Sequence, residues 1–144
     1  MITIETLKKE HISKVVEIEE KLLEETLGNE MLQAELHNKY AHFYVALDGD
    51  IVVGYIGAWI IEGTTDMINF VVDSNYQHQG IGQLLMQEII NHSVKENSKE
   101  ILLEVREKNN QAINFYLLQG FKQIAVRKEY YKNKDNALIL RKEL

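Results

Sequence analysis

The sequence has no cysteine, no proline, no excess of basic charge and no apolar run of membrane-spanning length. Without cysteine, a disulfide framework, a thiolate zinc site and a cysteine nucleophile are all excluded, and the chain suits a reducing, cytoplasmic compartment. Proline normally supplies about 5% of a chain, and its absence here carries no functional signal. Lys and Arg number 16 against 22 Asp and Glu, a formal net charge of −6. That is the opposite of the clustered basic surface a nucleic-acid binder presents. Met1–Leu7 lacks the basic region and apolar core of a secretory signal, and no stretch approaches the ~18 apolar residues of a membrane span. Neither nucleic acid nor membrane is expected as a partner. What is present is 144 residues, 45% hydrophobic and 26% charged. That is one domain by size, able to bury roughly two-thirds of its unfolded surface without staples.

Ile2-Thr3-Ile4 alternates apolar and polar, which predicts a first strand over about 2–7. After His11, residues Ile12, Val15, Val16, Ile18, Leu22 and Leu23 recur at helical spacing between Lys and Glu. This is an amphipathic helix to about Glu25, interrupted by Gly28. A shorter helix over Glu30–His37 follows. Two β-rich runs, His42–Leu47 and Ile51–Ile61, flank Asp48-Gly49-Asp50, a strong hairpin signal. Glu62–Thr65 then turns the chain into Met67–Val72, completing an antiparallel meander of three strands. Beyond lie a helix from Ile81 to about Lys95–Asn97, a strand at Ile101–Val105, and a helix at Asn109–Leu118 stopped by Gly120. Phe121–Arg127 and Ala137–Leu140 read as the last strands. No repeat or linker breaks residues 1–144. The expectation is a single α/β (α+β) domain, a mixed, mostly antiparallel sheet flanked by helices.

Gln77-His78-Gln79-Gly80-Ile81-Gly82 sits between a strand and a helix. Glycines there let the backbone approach a ligand, and the free N–H groups and dipole of the following helix favour an anion. The same pattern also serves as a turn that merely starts a helix. A P-loop would need Lys followed by Ser or Thr where Gln83-Leu84 stands. A dinucleotide fingerprint would need a small residue at Leu85 and the first strand of a βαβ unit before it. A third phosphate reading is a pyrophosphate loop for coenzyme A, whose support comes from the rest of the chain.

The strand Met67–Asp73, then Gln77-x-x-Gly80-x-Gly82, then a helix, resembles the central motif of the GNAT N-acetyltransferase superfamily. The order of elements over essentially the whole chain is similar too, as are Asn109-x-x-Ala112-x-x-x-Tyr116 and the Gly120-Phe121 that follows. Within that superfamily, Leu103-Glu104-Val105-Arg106, Arg127-x-x-Tyr130-Tyr131 and Asp135-Asn136-Ala137-Leu138 resemble the RimI group. Those bacterial enzymes acetylate the N-terminal alanine of a small ribosomal subunit protein. The group commonly carries a Pro-Trp pair after its first helix, whereas this chain has Leu27-Gly28-Asn29-Glu30-Met31.

The resemblance implies acetyl-CoA as cosubstrate and an acceptor amine on a protein N-terminus, of a ribosomal protein in the group it resembles; the histidines at 11, 37, 42, 78 and 92 show no two-histidine helical spacing with Glu, so no metal is expected. It implies that Phe70, Val71 and Val72 pair through their backbone with the pantetheine arm, and that Asn109 contacts the cofactor. The pyrophosphate would fall to Gln77, His78, Gln79, Gly80, Ile81, Gly82 and Gln83. Gln77 and Gln79 replace the Arg or Lys of many relatives, so binding would lean on backbone donors. The resemblance makes Glu104 the proton acceptor and Tyr116 the donor to the departing thiolate.

The residues themselves admit other readings. On the strand, Ile101, Leu103 and Val105 take one face and Leu102, Glu104 and Arg106 the other. That also suits a surface Glu104 paired with Arg106 or a neighbouring strand. Tyr116, beside Phe115, also suits the core of an amphipathic helix, and Asn109 an ordinary helix cap. The missing Pro-Trp pair leaves a small amine, such as a polyamine, open as acceptor. A non-catalytic acyl-CoA sensor is the reading outside the enzymes.

Overall fold

A computed structural model describes all residues 1–144. Seven strands form one sheet: β1 (Ile2–Thr6), β2 (Ala41–Asp48), β3 (Ile51–Ile61), β4 (Thr64–Val72), β5 (Glu100–Arg106), β6 (Lys122–Arg127) and β7 (Ala137–Glu143). Their spatial order is β1-β2-β3-β4-β5-β7-β6. Only β4 and β5 run parallel; every other neighbouring pair is antiparallel. The mixed sheet expected from the sequence is therefore the one found. The final hairpin inverts, so that β7, not β6, lies beside β5.

Four helices cover the sheet: α1 (Ile12–Leu22), α2 (Gly28–Glu35), α3 (Ile81–Lys95) and α4 (Asn110–Leu118). Strand alternation divides the core between its two faces. Phe43, Val45, Leu47 and Tyr55 pack with Ile12, Val15 and Ile18 of α1 and Leu32 of α2. Tyr44, Ala46 and Ile56 pack with Ile81, Leu85, Met86 and Ile89 of α3 and Tyr116 of α4. That two-sided burial explains why β2 and β3 read as continuous apolar runs.

Several boundaries differ from the sequence expectation, among them the end of β7, which runs on to Glu143. Helix α1 ends at Leu22, because Leu23 is already extended (φ −113°, ψ 144°). Helix α2 begins at Gly28, which sits at φ 81°, and not at the expected Glu30. Strand β4 starts at Thr64, where it pairs with Ile61 across the turn.

The β3–β4 register slips between Gly57 and Ala58 and leaves Ile68 of β4 unpaired. A bulge of this kind bends its strand and redirects the residues after it. Phe43 lies flat against Gly57: a Cβ there would meet the ring at 2.2 Å. Gly57→Ala should therefore cost about 1–3 kcal/mol through overpacking, read as a lowered thermal midpoint.

Candidate active site

Strands β4 and β5 pair only through Thr64–Asp66 against Glu100–Leu102 and then diverge. The divergence opens a groove of about 1500 Å³ running from the α1–α2 segment, between the two strands, to the start of α3. Both arms of the wedge carry predicted residues: Phe70, Val71 and Val72 on β4, and Glu104 on β5. Gln77, His78, Gly80, Ile81, Gly82 and Gln83 line one end, and Asn109 and Tyr116 of the α4 region line the wall. Of the residues singled out in the sequence, only Gln79 does not line the groove.

The backbone of β4 presents polar groups to this gap. The Phe70 N–H turns away from β3 and donates to the side-chain oxygen of its neighbour Asn69 (3.0 Å). The Val72 carbonyl accepts from the Gln77 side chain (3.3 Å). By strand alternation, Val71 directs its main chain the other way, and its carbonyl would lie 2.9 Å from a Cβ on Gly54 of β3. Phe70 and Val72, rather than Val71, thus offer the backbone groups.

At the α3 end, Gly80 is left-handed (φ 80°, ψ 7°), a conformation that costs other residues about 1–2 kcal/mol. The first backbone bond of the helix is Leu84 N–H to the Gly80 carbonyl, and the N–H groups from Gln77 through Gln83 have no partner in the protein. Together with the helix dipole they form an anion cradle. A Cβ on Gly82 would press to 3.2 Å from Phe70, so this glycine keeps the cradle close to β4. Gly80→Val should distort the cradle and weaken acetyl-CoA about tenfold, about 1.4 kcal/mol by titration calorimetry.

Glu104 does not pair with Arg106, its neighbour in sequence. Its carboxylate meets Arg127 of β6 (3.3 Å), and its charge holds the Tyr130 phenol's pKa up. Arg106 instead reaches away, to Glu24 (3.0 Å), Glu25 and Asp135 (3.1 Å), and stacks on Tyr131. Tyr116 is only 8% exposed, and burial, then Tyr131, pushes its pKa up. Asn109 caps α4, accepting from the Ala112 N–H (3.2 Å).

These features are those of an acyl-CoA site: a split parallel pair, a backbone-lined gap, an anion cradle at a helix start, and a carboxylate facing the gap. The profile of the acetyltransferase (GNAT) family matches residues 9–121. The chain belongs to the GNAT acetyltransferase family. The ribosomal protein bS18-alanine N-acetyltransferase of Escherichia coli is 27% identical over 94% of this chain and 90% of its own length. An N-alpha-acetyltransferase of Sulfurisphaera tokodaii is 31% identical over 90% of this chain and 85% of its own. The structure of Ard1 from Thermoplasma volcanium superposes with a TM-score of 0.93 at 25% identity, covering 99% of this chain and 97% of that one.

As a GNAT enzyme the chain is an acetyl-CoA-dependent N-acetyltransferase, and its residues fit that cosubstrate. The cradle suits a pyrophosphate, and the Phe70 and Val72 backbone suits an amide-bearing arm lying as an extra strand in the wedge. No group of three His, Cys, Asp or Glu side chains is placed to hold a metal, and no helix is long and apolar enough to cross a membrane. Sequence reasoning missed several groove residues. Asp66, at the last parallel pair, has its pKa raised by burial, then by Glu100 and Glu104. Trp59 lines the groove and donates to Glu35 of α2. Asn69 joins β4 to the α1–α2 segment.

Proposed function

We propose that this GNAT enzyme transfers acetyl to the N-terminal amine of a protein, with alanine-type termini preferred and a ribosomal protein as the acceptor class to try first. One observation carries the reading. Glu104 lines the groove in a chain similar over nearly its full length to enzymes named for N-terminal acetylation. A free α-amino group, with pKa about 7.7–8.0, is partly neutral at pH 7, whereas a lysine near 10.4 is almost wholly charged. One carboxylate is therefore sufficient for the former. The lack of cysteine suits work in the cytoplasm.

Transfer is direct, within a ternary complex, because no cysteine carries the acyl group. The amine nitrogen bonds to the acetyl carbon as the carbon–sulfur bond breaks. Glu104 accepts the nitrogen's proton, with Arg127 fixing its orientation, and Tyr116 gives a proton to the sulfur. The Phe70 and Val72 backbone and the N–H groups from Gln77 to Gln83, with Asn109, hold and orient the cosubstrate.

Intact-mass analysis of peptides incubated with protein and acetyl-CoA tests this. The panel is Ala-, Ser- and Gly-starting peptides, their N-blocked forms with an internal lysine, and free spermidine. The expected result is one added acetyl group on free Ala-type termini only. Transfer confined to spermidine or to lysine would overturn the acceptor, and cosubstrate binding without transfer to any amine would favour a sensor.

A further inference from the structure

Glu19 is the most unusual charge in the molecule. It lies on α1 four residues after Val15, within the apolar stripe, and its side chain is fully buried. A buried carboxylate is costly unless its oxygens are satisfied, and no cation approaches this one. Instead it accepts four hydrogen bonds: from the Leu27 N–H (3.0 Å), the Gly28 N–H (3.1 Å), the Tyr55 hydroxyl (2.5 Å) and the Asn69 amide (3.4 Å). The first two are the opening amides of α2, so the charge also sits on the positive end of that helix.

The partners join the two sides of the reaction. Leu27 and Gly28 end the segment whose earlier residues Leu23, Glu24 and Glu25 wall the acceptor end of the groove. Asn69 bonds with its nitrogen to Glu19 and to the Glu25 carbonyl (3.1 Å), and with its oxygen to the Phe70 N–H. One buried carboxylate thus ties the acceptor wall to the point on β4 where the backbone turns toward the cosubstrate. From outside, the same segment is held by Arg106 through Glu24 and Glu25. An apolar residue of similar volume would often serve stability as well as a buried charge, but it could not catch two amides and an amide side chain at fixed positions.

We propose that Glu19 is a positioning residue that sets the acceptor wall against β4, and so governs acceptor binding without contributing to cosubstrate affinity. The proposal rests on the reading of this groove end as the acceptor side. Glu19→Gln keeps the shape but turns an NH2 group toward donors it cannot satisfy. The variant is compared with wild type for acceptor KM, kcat, acetyl-CoA Kd and thermal midpoint, using whichever amine the wild type acetylates best. The expected split is an acceptor KM raised about tenfold or more with acetyl-CoA Kd within about twofold. A lowered thermal midpoint with unchanged KM would mean a merely structural role, and a Kd that rises with KM would mean no selective action on the acceptor; either overturns the proposal. If Glu19→Gln does not fold, Tyr55→Phe, which removes one donor of the four, decides by the same split, with KM raised about threefold. Because the amine is chosen by what the wild type acetylates, failure of alanine peptides overturns the N-terminal acceptor but leaves this test intact.

Discussion

Glu104→Gln should lower kcat about 10²–10⁴-fold, the usual contribution of a positioned general base, with acetyl-CoA affinity unchanged within about twofold by calorimetry. The substitution keeps the side chain's size and one acceptor oxygen, while the Arg127 ion pair is lost. That pair involves a half-exposed arginine, worth about 0–1 kcal/mol at most, so folding should survive. The pH profile separates a base from an orienting contact. Without Glu104, turnover depends on amine that is already neutral, so residual activity should climb from pH 6 and level off near the amine's own pKa of about 7.7–8.0. Full activity of the variant across pH 6–9 would remove Glu104 from the chemistry and leave it as a partner of Arg127.

Much of the molecule could be read before the structure because its signals are local. The Asp48–Asp50 hairpin is written in a glycine at φ 63°, and the loop before α3 in Gly80 at φ 80°; both positions need what glycine alone supplies cheaply. Asn109 caps its helix within three residues of itself. What could not be read is set by pairing over long sequence distances. The Glu104 partner is Arg127, on a strand whose place at the edge follows from β7 inserting between it and β5. Arg106, the nearer cation in sequence, is drawn instead to Glu24 and Glu25, more than 80 residues away for the latter.

Helix α1 shows the same limit in energetic terms. Leu22 and Leu23 continue the apolar periodicity, which predicts helix to Glu25. The chain leaves the helix at Leu23 instead, because Glu19 captures the amides of Leu27 and Gly28 and Asn69 captures the Glu25 carbonyl. Tertiary bonds to a buried carboxylate outweigh the few tenths of a kcal/mol per residue that propensity offers. A signal was present: Glu19 is a charge at a stripe position, which a solvated amphipathic face does not require.

Tyr116→Phe is expected to lower kcat about 10²-fold or more while moving stability by no more than about 0.5 kcal/mol, or about 1–2 °C in thermal midpoint. The two effects separate because of where the hydroxyl sits. The ring is buried among Phe70, Phe115 and Phe121, all of which phenylalanine retains. The hydroxyl makes no hydrogen bond to the protein, yet no buried side-chain atom lacks a partner, so it reaches the surface of the groove that Tyr116 lines. Deleting it therefore costs the fold nothing it was using. Burial pushes the phenol's pKa above 10, so it keeps its proton throughout pH 6–9 and stays a donor to sulfur rather than a competing base. The acidic limb of the rate profile should accordingly keep its shape in Tyr116→Phe, whereas Glu104→Gln changes it. A variant as active as wild type would reduce Tyr116 to a packing aromatic. One that lost activity and several degrees of thermal midpoint together would place its hydroxyl in the fold instead of the reaction.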